Sequence, residues 1–224
     1  MIRAIVFDFD GLILDTELPE FQSWQDIYQT YGCTLPFAVW AMGIGTTEAF
    51  DPYAYLEEQL GRAVDREAVR LQQRQQCDAL IAAQMVLPGV HDYIADAKRL
   101  NLQLGVASSS SRAWVSGHLT RLELQQHFVC MRCRDDVPRT KPDPALYQAA
   151  LAALEVRPEE AIALEDSPNG ILAAKRAGLF CVAVPNALTC QLPLDQADLR
   201  IPSLAALPLP RLLSSIRHGG RLQG

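Results

Sequence analysis

The sequence predicts a doubly wound α/β fold: a parallel sheet covered by helices on both faces, with a second, wholly helical unit inserted after the first strand. Three observations carry this prediction. Short, nearly continuous apolar runs at 4–7, 103–107, 128–131, 161–164 and 180–184 have the pattern of strands buried on both faces. Helical stretches alternate with the later runs, the order that builds parallel strands joined by crossovers. The alternation fails between Glu17 and Met85, where no strand interrupts a helical stretch far longer than a crossover needs.

Each element has its own signal. Behind the first strand, Phe21, Trp24, Tyr28 and Tyr31 fall on one helical face that stops at Gly32, and 66–84 reads as another amphipathic helix. We therefore expect an inserted helical domain at 16–87 and an α/β core formed by 1–15 and 88–224. The junctions fall at Asp15-Thr16 and Val86-Leu87-Pro88-Gly89. After the insertion, 90–100 carries an apolar stripe and 113–122 follows a Ser-rich start. The helix over 144–154 opens with Asp143 as N-cap and Pro144 at its first position. The helix over 169–177 stops at Gly178. The tail from Ile201 is expected to add a short strand and a helix, and to fray from Arg217 onward.

Composition narrows the function classes. The chain has 224 residues, 49% of them hydrophobic, and a net charge of -6, as expected of a folded soluble protein. No basic stripe is present, so no nucleic-acid surface is expected. The longest uncharged stretch, 177–194, is broken by Pro185, Asn186, Thr189, Gln191 and Pro193, which argues against a membrane span. Asp8 and Asp10 follow Met1 too soon for a signal-peptide core. Six cysteines without framework spacing read as free thiols of a reducing, cytoplasmic compartment. Cys130 and Cys133, with His127 nearby, have redox or zinc spacing. On a strand they would point to opposite faces, so their reading is structural.

In this fold class, functional groups gather where strands end. Asp8 and Asp10 follow the first run, Ser108-Ser109-Ser110 the second, and Glu165-Asp166-Ser167 the fourth, while Lys141-Pro142 lies beyond the third. Singly, each group has an ordinary role as turn former, helix cap or surface charge. Together they offer the parts of a phosphate and divalent-metal site. Two carboxylates one residue apart beside a buried strand also need a cation, a proton or a reaction to compensate them.

These residues resemble the four ordered motifs of the haloacid dehalogenase-like (HAD) superfamily: Asp8-Phe9-Asp10-Gly11, Ser108, Lys141-Pro142, and Glu165-Asp166-Ser167 with Gly170. The resemblance covers nearly the whole chain, because the insertion matches the subfamily with a helical cap on a Rossmann-like core. Asp10-Gly11-Leu12-Ile13-Leu14-Asp15-Thr16-Glu17 and Ser167-Pro168-Asn169-Gly170 resemble in particular the β-phosphoglucomutase-like phosphatases.

That resemblance implies Asp8 as the nucleophile that becomes an aspartyl phosphate, and Asp10 as the acid and base for leaving group and water. It implies Mg²⁺ held by Asp8, Asp166 and the Asp10 carbonyl, with Glu165 as a further ligand or as the group that orients them. Lys141 and Ser108, with main-chain N–H groups around Ser109 and Leu12, would hold the remaining phosphoryl oxygens, and Gly11 would allow close approach. In the cap loop, Gly45, Thr46 and Thr47 are candidates for substrate contact, although the loop also reads as an ordinary Gly-rich turn. Trp24, Tyr28 and Trp40 read as cap core.

The function expected is a Mg²⁺-dependent phosphatase of a small phosphorylated metabolite, such as a sugar phosphate, in a monomer or weak homodimer. A phosphomutase is the alternative. That pattern has a histidine and a basic cap-loop residue where this chain has Pro19-Glu20 and Thr46-Thr47-Glu48, and an acidic cap lacks the groups expected to hold a second phosphate. A dehalogenase would leave Asp10 and the Glu165-Asp166 pair without a role. A non-enzymatic, phospho-accepting receiver domain would share the strand-end acids, lysine and Mg²⁺. It would not explain Asp10 or the insertion.

Overall fold

The computed structural model describes residues 1–44 and 50–217. Its sheet comprises β1 (Ala4–Phe7), β2 (Gln103–Ala107), β3 (Cys130–Arg132), β4 (Ala161–Glu165), β5 (Phe180–Ala183) and β6 (Leu199–Arg200). All are parallel, in the order β3-β2-β1-β4-β5-β6. The order reverses at β1, so the crevice between the carboxyl ends of β1 and β4 is the switch point where such sheets bind ligands. Register sets the height of the functional groups: Phe7 lies opposite both Val106 and Leu164, so Asp8 and Glu165 leave their strands at one level.

Among the described residues of the insertion the α-helices are α1 (Glu17–Thr30), α2 (Phe37–Trp40), α3 (Pro52–Leu60) and α4 (Arg66–Ala82). Phe21, Trp24, Ile27, Tyr28, Trp40 and Leu56 form a hydrophobic cluster separate from those of the sheet. Burial of Trp24, Tyr28 and Trp40 in it agrees with their reading as core. α1 packs along α4, where Gln73 Nε2 donates to Ser23 Oγ at 2.9 Å in a buried pair. The two links to the core run side by side: Leu14 and Val86 form an antiparallel bridge, and Leu87 N donates to Ile13 O at 2.9 Å.

The remaining helices are α5 (Val90–Arg99), α6 (Arg112–Arg121), α7 (Ala145–Ala153), α8 (Pro168–Arg176) and α9 (Leu209–Arg217). Strand side chains alternate between two cores. Ile5, Phe7, Leu104, Val106, Ile162 and Leu164 pack on one face against α5, α6 and α9. The opposite face is lined by Ala4, Val6, Ala161 and Ala163, small residues that admit α7 and α8.

β3 begins two residues later than expected, because Phe128 closes a 3₁₀ turn and Val129 is exposed, leaving Cys130 as the first residue paired with β2. Cys130 packs against the α7 and α8 core and Cys133 belongs to the other, so the pair does point to opposite faces. The α7 cap is Pro144 rather than Asp143, whose carboxylate instead accepts from Ala145 N at 3.0 Å. Among the described residues, no helix is long and apolar enough to cross a membrane. The tail expected to fray lies, beyond Arg217, outside the described residues.

Candidate active site

At the end of β1 the chain leaves the sheet with Asp8 6% exposed. Lys141, itself buried, reaches it from the loop before α7: Nζ donates to Asp8 Oδ1 at 2.5 Å and lies 2.7 Å from Glu165 Oε1. Two carboxylates around one buried ammonium outweigh its desolvation and hold the Lys141 pKa above its ordinary value. Asp8 moves the other way from a usual carboxylate. Burial, then the charges of Glu165 and Asp10, push it from 3.8 to about 8 against the pull of Lys141.

Glu165 and Asp166 come from the end of β4, and one carboxylate oxygen from each of Asp8, Glu165 and Asp166 lies within 4.8 Å of the others. Glu165 is already engaged on both oxygens. Oε1 accepts from Tyr147 at 2.7 Å besides Lys141, while Oε2 accepts from Asp166 N at 3.2 Å and Ser167 Oγ at 3.3 Å. A Cβ on Gly170 would strike that carboxylate, so the first turn of α8 has to be bare there. Asp166 Oδ2 accepts from Asn186 Nδ2 at 2.8 Å, and its pKa is raised by burial and by the neighbouring charges of Asp8 and Glu165.

Asp10 is gripped by four donors. Thr16 Oγ1 and Trp114 Nε1 both donate to Oδ1 at 2.9 Å, and Ser108 Oγ (3.1 Å) and Ser110 Oγ (2.7 Å) to Oδ2. Ser108 is fully enclosed with its hydroxyl donating to Asp10, while Ser109 and Ser110 line the open cavity.

Leu12 lies beside this group, in the turn that follows Asp10. Its N–H faces Phe9 O at 3.4 Å, in a turn where Ile13 and Leu14 N–H also point to Phe9 O. Leu12 and Gly11 line a separate, more apolar cavity. Gly11 is nevertheless tied to the site by close approach: it has φ +78°, and a Cβ there would collide with Asp166 Oδ2.

A cavity of about 500 Å³ opens over Asp8, Asp10, Lys141 and Asp166, bounded by α1, α4 and α6. Asn169 Nδ2 donates to Ile44 O at 2.9 Å, fastening the start of the cap loop to α8. Gly45, Thr46 and Thr47 lie outside the described residues. Glu17 and Glu20 line the cavity, and burial together with Asp10 pushes Glu20 from 4.5 to about 7. The expectation that an acidic cap lacks groups for a second phosphate rests on Pro19-Glu20 and the cap loop, and it leaves out a third segment of the cap. α4 turns Arg70 and Arg74 into the same cavity, four residues apart and thus on one helix face.

Sequence reasoning missed Asn186, Tyr147, Thr16, Trp114 and these two arginines. Asn186 had a signal, since it follows β5 as the other groups follow their strands. Tyr147, Trp114, Arg70 and Arg74 sit inside helices, where no local pattern separates a functional side chain from a packing one.

Comparison with known proteins identifies the family. Residues 5–184 match the model of the haloacid dehalogenase-like hydrolases. The chain is 44% identical over 216 residues to the protein YhcW of Bacillus subtilis (strain 168), covering 96% of this chain and 98% of that protein. It is 29% identical over 212 residues to validoxylamine A 7'-phosphate phosphatase of Streptomyces hygroscopicus subsp. limoneus, with coverages of 95% and 99%. Among solved structures, a mutant CbbY from Rhodobacter sphaeroides in complex with xylulose-(1,5)bisphosphate superposes with TM-score 0.76 at 30% identity, covering 92% of this chain and 96% of that one. The chain belongs to the haloacid dehalogenase-like hydrolase family.

Proposed function

We propose that this hydrolase is a Mg²⁺-dependent phosphatase acting on a small phosphorylated metabolite of the sugar-phosphate type, in a core of 1–15 and 88–224 capped by 16–87. One observation carries the reading: a buried acid, Asp8, is clamped by Lys141 beside a second, firmly held carboxylate, Asp10, in a cavity walled on one side by the inserted helices. The names of the relatives, a validoxylamine A 7'-phosphate phosphatase and a protein crystallised with xylulose-(1,5)bisphosphate, support the substrate class.

The residues suit a divalent cation. Asp8, Glu165 and Asp166 bring three carboxylates together with one ammonium, and burial followed by their mutual repulsion raises the pKa values of Asp8 and Asp166, a cost that a divalent cation would relieve. Asp8 and Asp166, with the Asp10 main-chain carbonyl, would bind Mg²⁺. Glu165, filled by Lys141, Tyr147 and Ser167, would orient them. When bound, the ion keeps Asp8 ionised and neutralises charge on the phosphoryl oxygens.

Lys141 holds Oδ1 of Asp8, so Oδ2 is the oxygen that attacks phosphorus. The new Asp8–phosphorus bond forms as the ester oxygen departs, taking a proton from Asp10. Asp10 then accepts a proton from water as the water oxygen attacks phosphorus, releasing inorganic phosphate and restoring Asp8. The inserted helices shut bulk water out and select the leaving group.

A panel of phosphorylated sugars, assayed for phosphate release with Mg²⁺ and with chelator, tests the proposal. Mg²⁺-dependent release from at least one member is expected; none from any phosphate monoester would overturn it.

A further inference from the structure

Trp114 stands in the first turn of α6 and donates its indole N–H to Asp10 Oδ1 at 2.9 Å. The ring is fixed from two further directions. His118, one turn along α6, meets it edge-on with centroids 4.4 Å apart, and the Arg74 guanidinium of α4 lies 5.3 Å from its centroid. The indole therefore touches the inserted helices on one side and Asp10 on another. Of the donors to Asp10, Thr16, Ser108 and Ser110 are hydroxyls, free to rotate toward other acceptors; the indole N–H keeps the direction of its ring.

We infer that Trp114 is a positioning residue for Asp10: it fixes Oδ1 of the acid and base group, with Arg74 of the cap holding the indole in place. The inference rests on the phosphatase reading above. Proton delivery to the ester oxygen depends steeply on where the donor sits, and a displacement on the order of 1 Å can cost a hundredfold.

Trp114→Phe keeps a ring for His118 and Arg74 and removes the N–H. The decisive readout is kcat/KM over a series of phosphate monoesters, from 4-nitrophenyl phosphate to simple alkyl phosphates. This parameter ends at phosphoryl transfer to Asp8 and so senses leaving-group protonation, not the later hydrolysis. The alkyl esters are expected to lose about tenfold or more, because their alkoxides need a proton. 4-Nitrophenyl phosphate should change by less than about twofold, since nitrophenolate departs unaided.

Arg74→Met, at a position whose side chain is 60% exposed and so safe for folding, should steepen the same dependence more weakly. An equal loss across the series, or none on the alkyl esters, would overturn the inference. A wild-type protein inactive on every monoester would instead remove the phosphatase reading.

Discussion

Lys141 Nζ sits 2.5 Å from Asp8 Oδ1, with both residues almost wholly removed from solvent. One oxygen of the proposed nucleophile is thus pinned, and the same ammonium holds Glu165 on its other side. Removing it leaves buried Glu165 without its cation and Asp8 without its donor. Lys141→Met is therefore expected to destabilise the metal-free protein by about 3 to 5 kcal/mol in urea unfolding. It should lower kcat/KM by roughly a thousandfold, measured on the best substrate of the panel.

Asp10→Asn separates geometry from proton transfer. The amide oxygen can take the place of Oδ1 and accept from Thr16 and Trp114, while the hydroxyls of Ser108 and Ser110 rotate to face the amide N–H groups. The fold should survive, seen as an unchanged circular dichroism spectrum. kcat should fall by about 10² to 10⁴, the range for loss of a general acid and base.

The metal-free protein should lose stability as pH rises. In the fold the Asp8 carboxyl keeps its proton up to about 8, whereas in the unfolded chain it releases it near 3.8. Between those values the native state binds more protons than the unfolded one, so the linkage sign makes unfolding easier at higher pH. Asp166 is shifted in the same direction. Mg²⁺ competes with those protons. The rise in Tm on adding Mg²⁺ should therefore be larger at pH 8 than at pH 5, as read by thermal melts at the two pH values.

Gly11→Ala combines a left-handed backbone angle with a Cβ aimed at Asp166. The backbone strain alone costs about 1 kcal/mol. Displacement of Asp166 should weaken Mg²⁺ activation, raising the Mg²⁺ concentration for half-maximal rate by about tenfold or more, since metal ligands tolerate little movement.

Much of this was legible before any coordinates. β1 and β2 were read to the residue, and the strand-end groups Asp8, Lys141, Glu165 and Asp166 do converge, because buried runs fix the strands and parallel topology fixes where their ends meet. The helix from Pro52 went unread despite clear boundaries: Asp51 caps it, accepting from Tyr53 N at 2.9 Å, and Gly61 ends it at φ +64°. The direction of the Ser108 hydroxyl and the reach of Trp114 were not legible. Both depend on tertiary partners some hundred positions earlier in the chain, and no local spacing encodes them.

The central claim is that phosphorus passes through Asp8. Acid-quenching the enzyme with its best panel substrate and Mg²⁺ within the first turnovers, then mapping peptides by mass spectrometry, tests it directly. The account predicts one added phosphoryl group on Asp8, and in Asp10→Asn a more abundant one when 4-nitrophenyl phosphate, whose leaving group needs no proton, is the substrate. Turnover with no phosphoryl group on Asp8 in either protein would contradict it.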